Sequence, residues 1–108
     1  MLEPAYRYRA ECLTVHDGDT FWSRLDLGTH VDRRLWLRVR NLYCPELAQP
    51  GGPEARAYAE TLLGGQALVV ETFKDRQSFA RYIADIWIVG HGDFAALMIE
   101  GGHGSATA

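Results

Sequence analysis

The chain has 108 residues, 47% of them hydrophobic and 23% charged, with a formal net charge of −3. That length and apolar content suit a single globular domain and exclude a disordered chain. The negative balance excludes a protein that coats nucleic acid non-specifically, which needs many cationic contacts to phosphate, but leaves room for one focused cationic site.

No run approaches the roughly 20 apolar residues of a membrane span. The N-terminal stretch MLEPAYRYRA lacks the apolar centre of a signal peptide. A cytoplasmic protein with no membrane partner is therefore expected. Cys12 and Cys44 are too few for a disulfide scaffold and lack CxxC spacing, so both are expected as free thiols. Ten of the eleven Lys and Arg residues are arginine. Arginine suits bidentate phosphate recognition, although a genomic base bias produces the same composition.

In chain order, residues 6–15 (YRYRAECLTV) read as a strand. Asp-Gly-Asp at 17–19 marks a turn. Residues 20–27 read as a second strand and Gly28 begins the next turn. Residues 34–42 alternate, with Leu35, Leu37 and Val39 on one face and Trp36, Arg38 and Arg40 on the other. Residues 49–65 read as a loop and then a helix. Pro53 suits its first turn, and Ala55, Tyr58, Ala59, Leu62 and Leu63 form one apolar stripe. Gly64 and Gly65 can end it. Residues 66–73 and 81–89 read as two more strands, and 93–102 as a short helix capped by Asp93. The order predicts a mainly β chain with some α. The expected form is a five-stranded OB-type barrel with a helix between strands 3 and 4 and a short C-terminal helix. One domain over 1–108 is expected, with an ordered core from about 6 to 102 and, at 103–108, a polar tail that can also read in part as a last strand.

Charged residues stand out at four places: Asp17 and Asp19 in the first turn, Arg38, Glu46 and Arg81. Each has a plain alternative. The aspartates suit a hairpin turn, Arg38 a solvated face, Glu46 a loop, and Arg81 a surface pair with Asp75 or Asp85. Alternation does not separate Arg38 from Arg40. Together they form a sufficient set for phosphodiester hydrolysis. Arginine or a metal stabilises charge on the phosphate, a carboxylate orients and deprotonates water, and aspartate oxygen suits a hard cation.

The stretches VHDGDTF, RVRNLYCPE, GGPEARAY and FARYIADI occur in the order seen in the staphylococcal-nuclease-like (thermonuclease) family, from about Ala10 to Gly102. The chain resembles that family. The resemblance implies an OB barrel with helices and a calcium-dependent endonuclease acting on DNA or RNA, single strands preferred. It implies that Arg38 and Arg81 bind the phosphate and that Glu46 positions the attacking water. It also implies that Asp19 and the Cys44 carbonyl ligate calcium, with Asp17 in the outer shell and manganese as a substitute ion. The spacing back from Glu46 selects Arg38 over Arg40.

Tyr43 departs from this pattern: it stands where the family has a second metal-binding carboxylate, so weak calcium binding is expected. Phe-Ala-Arg ending at Arg81 replaces Tyr-Gly-Arg, and no long helix reads after Gly102. These departures keep a second reading open: a module of weak or no activity that binds nucleic acid or a protein partner. His16 adjoins Asp17, where it could touch substrate, although a turn histidine more often has no chemical duty; His30, His91 and His103 are expected to carry no role. Trp22, Trp36 and Trp87 suit base stacking, but strand tryptophans more often pack into a core or against helices.

Overall fold

The computed structural model describes residues 6–74 and 81–107. Its elements are β1 (Arg7–Asp17), β2 (Thr20–Asp26), β3 (Asp32–Val39), α1 (Gly52–Leu63), β4 (Leu68–Lys74), β5 (Arg81–Ile88), β6 (Gly92–Asp93) and α2 (Phe94–Glu100). The strands run in the order β3-β2-β1-β4-β5-β6, and a further β3–β5 pairing closes five of them into a barrel. The β3–β5 contact is parallel, and the other strand pairs are antiparallel. This is the OB-type architecture that the element order implies. The two-residue β6 is an addition, held against the end of β5.

One long strand makes closure possible. Arg9–Asp17 of β1 pairs with β2, while Arg7–Ala10 pairs with β4. The β1–β2 register shifts between Cys12 and Thr14 and again between Val15 and Asp17. Such bulges bend a strand and increase its twist. Inward positions follow the two-residue period: Phe21, Ser23 and Leu25 on β2, and Leu35, Leu37 and Val39 on β3, are all buried. The Ser23 hydroxyl is satisfied within the core by donating to the Leu35 carbonyl at 3.0 Å.

Gly51 precedes α1 in a left-handed conformation (φ 86°), and Pro53 sits in the first turn. The buried face of α1 is Gly52, Ala55, Ala59 and Leu63, close to the stripe expected, and it packs on β1. Asp93 caps α2, its carboxylate accepting the Ala96 N–H at 2.9 Å. Phe94 and Met98, one turn apart, are the buried side chains of α2. Among the described residues no helix is long and apolar enough to cross a membrane.

Residues 103–107 are tied to the body, with Ser105 supplying a strand-like bridge. Tyr43 and Ser105 exchange two backbone hydrogen bonds of 2.8 and 2.9 Å. The His103 ring lies 4.7 Å from that of Tyr58. A Cβ at Gly104 would meet Leu42 Cδ1 at 2.6 Å, so a larger residue there would have to displace that buried side chain. The tryptophans depart from expectation. Trp22 and Trp36 occupy outward positions on β2 and β3, half-buried against each other, and Trp87 is 54% exposed. The inward positions were already filled by aliphatic residues and Phe21.

Candidate functional site

The β1–β2 turn is unusually well buried for a hairpin end, with Asp17 and Asp19 only 9% and 8% exposed. Gly18 explains the fit. A Cβ there would meet Cys44 Cβ and Sγ, each at 2.8 Å, and Met98 Cε at 3.1 Å. The turn therefore presses against the Cys44 segment and α2, and a larger residue would push them apart.

Asp19 ties three chain segments together. Its backbone carbonyl accepts the Val39 N–H at the end of β3 (2.9 Å). Its carboxylate accepts the Cys44 N–H on Oδ2 (3.1 Å) and the Thr20 hydroxyl on Oδ1 (3.1 Å). Its own N–H makes a long bond of 3.3 Å to Asp17 Oδ1. Burial, a hydrogen bond shared with the Asp19 carboxyl and the Asp19 charge together push the Asp17 carboxyl up to about 6. The two acids thus disfavour double ionisation.

Arg38 adjoins this turn. It pairs in register with Thr20 across β2–β3, and its guanidinium lies 5.5 Å from the centroid of the Tyr43 ring. Tyr43 is fixed for that contact by its backbone pairing with Ser105. Among the described residues no carboxylate pairs with Arg38. Arg40 differs. It lies just past the end of β3, donates two hydrogen bonds to Asp85 at 3.0 and 2.8 Å, and covers the Phe73 ring at 4.3 Å. Two arginines that the alternation leaves equivalent are thus separated by their partners.

Glu46 is exposed on the loop between Cys44 and α1. Its N–H donates to Gln49 Oε1 at 2.9 Å, and its carbonyl accepts the Gln49 N–H at 2.8 Å. Gly52 lies so close that any Cβ there would collide with the Glu46 carbonyl. The loop backbone is held while the carboxylate has no ion-pair partner among the described residues. Arg81 opens β5 in parallel register with Trp36. Its side chain, like Asp75, lies outside the described residues. Asp85, its other suggested partner, is engaged by Arg40.

Asp19 meets both Asp17 and Cys44, and Arg38 meets Tyr43. Thr20 and Gln49 hold Asp19 and the Glu46 backbone, contacts that the sequence reading missed. Their signal was position: one follows Asp19 directly, and the other stands three residues after Glu46. Among the described residues no three His, Cys, Asp or Glu side chains group as a metal site. The oxygens that suit a hard cation are the Asp17 and Asp19 carboxylates and the Cys44 carbonyl, which accepts no backbone hydrogen bond among the described residues. With Tyr43 turned to Arg38 and both Asp19 oxygens already accepting hydrogen bonds, these donors would hold a cation only loosely. The Cys44 thiol is not among them. Burial first, then the Asp19 and Asp17 charges, pushes it up to about 12.

No family model matches the chain. An alignment of 87 residues, 71% of this chain, is 28% identical to the "Probable staphylococcal-like nuclease CAN2" of Oryza sativa subsp. japonica. The aligned stretch spans 23% of that rice protein. The chain is a distant homologue of a staphylococcal-like nuclease, with a nuclease-like barrel of OB type.

Proposed function

We propose that this domain hydrolyses phosphodiester bonds of DNA or RNA, with calcium as its metal and single strands as its preferred substrate. The observation that supports it best is Arg38. It is half-buried, without a carboxylate partner among the described residues, and registered against Thr20 beside the Asp17–Asp19 turn. An arginine left open in this way suits an anion, and its planar fork suits phosphate.

In this reading Arg38 and Arg81 hold the scissile phosphate and stabilise the charge that develops on it. Glu46, on a backbone fixed by Gln49 and Gly52, orients the attacking water and accepts its proton. Asp19 and the Cys44 carbonyl would hold calcium, with Asp17 in the outer shell, and the ion when bound would supply Lewis-acid stabilisation of the phosphate. Manganese is the natural substitute. A second reading, binding with little turnover, is favoured by the contact between Arg38 and Tyr43 and by the two hydrogen bonds already held by the Asp19 carboxylate.

Cleavage of single-stranded DNA and RNA in calcium, manganese or EDTA tests both. Glu46→Gln should lower the hydrolysis rate roughly 10²-fold or more, with the fold unchanged because Glu46 is exposed. Equal rates in the variant would remove Glu46 from the chemistry. Binding without cleavage in any metal would select the second reading.

A further inference from the structure

Next to Arg38 the outer face of the barrel carries an aromatic cluster that phosphate chemistry does not use. Trp22 and Trp36 are direct cross-strand partners, with ring centroids 5.2 Å apart and planes inclined at 58°. His16, near the end of β1, meets Trp36 edge-on at 6.1 Å and 75°. On its far side Trp36 is in backbone register with Arg81. The row Trp22–Trp36–Arg81 therefore crosses three strands beside the row Thr20–Arg38–Ile83.

Trp36 and Arg38 share one face of β3, about 7 Å apart along the strand. Arg34 follows on that face in the other direction. It is exposed and has no carboxylate partner among the described residues. Arg24, beside it on β2, is instead held by Glu11 and Asp32. The indole pair thus lies between two cations open to phosphate. The barrel interior does not need it, since Phe21, Leu35 and Leu37 fill the inward positions.

We infer that Trp36 and Trp22, edged by His16, form a stacking platform that takes an unpaired nucleobase beside the phosphate at Arg38. The inference rests on the nuclease reading above and gives its single-strand preference a physical basis. Stacking on an aromatic ring accepts every base but requires the base to be unpaired. The cations on either side match the charge of the strand that carries it.

The experiment uses a Trp87→Phe parent, leaving Trp22 and Trp36 as the only indoles. A single-stranded thymidine octamer is titrated in EDTA, alongside an octamer of the same backbone without bases. Indole fluorescence should change on binding, and the parent should hold the base-bearing strand roughly tenfold or more tighter than the baseless one. Trp36→Ala should close that gap, and Trp36→Phe should restore most of it. Equal affinity of the parent for the two strands overturns the platform, and this arm needs no variant at the platform. So does a Trp36→Ala protein that keeps the full gap. Both outcomes leave nucleic-acid binding intact. A parent that binds neither strand in EDTA is titrated again in calcium with Glu46→Gln added to block cleavage, where the same comparison decides; binding of neither strand there overturns the nuclease reading itself, and the platform with it.

Discussion

Replacing Asp17 by asparagine should stabilise the protein at neutral pH. Asp17 is 9% exposed and its carboxyl is pushed from an ordinary value of 3.8 up to about 6, first by burial and then by the Asp19 carboxyl. An acid raised in this way binds more protons in the folded state than in the unfolded one between the two values. Stability therefore falls as pH rises from about 4 to about 6, and the full penalty is present at pH 7. The ceiling is about 3 kcal/mol, because the two protonation states differ by about 1.4 kcal/mol for each tenfold change in proton affinity. The effective dielectric is high even at buried protein sites, which lowers the expected gain to about 1–2 kcal/mol. Asparagine keeps an oxygen for the Asp19 N–H and offers an amide proton to the Asp19 carboxylate, so the local bonds survive. Urea denaturation followed by tryptophan fluorescence at pH 7 and pH 4, in EDTA, measures the effect. The gain should be present at pH 7 and nearly gone at pH 4. A variant no more stable than the parent at pH 7, or equally improved at both values, would refute the account of a carboxyl held against its preference.

Tyr43→Asp removes the ring beneath Arg38 and adds a carboxylate to the segment that carries Cys44. Calcium affinity follows anionic ligand count, so calorimetry should show roughly tenfold tighter binding. Unchanged affinity would mean that a side chain at 43 does not reach the cation. Burial pushes the thiols of Cys12 and Cys44 up to about 11 and about 12. Iodoacetamide labelling at pH 8, followed by mass spectrometry, should therefore be roughly 100-fold slower in the folded protein than in urea. Labelling at equal rates would mean that neither thiol is shielded.

Elements whose signal lies within a few residues were legible. The two-residue alternation in β3, the apolar stripe of α1 and the Asp93 cap are set by backbone geometry; the stripe and cap appear close to where the sequence places them, while β3 spans Asp32–Val39 rather than 34–42. The barrel followed from element order, since three strands, a crossover helix and two strands leave few ways to bury their apolar faces. Contacts between distant segments were not legible. Arg38 and Arg40 have the same period and chemistry. They differ because β3 ends at Val39 and β5 brings Asp85 to Arg40 across 45 residues of sequence. Asp19 meets Cys44 across 25 residues, and Ser105 comes back to Tyr43. Alternation already puts Trp36 on the Arg38 face, against the preference of an indole for a core, but its pairing with Trp22 depends on the β2–β3 register, which no local period shows. Local period depends on bond geometry shared by every chain, whereas the partners of a charge or a ring depend on which strand ends the closed barrel brings together.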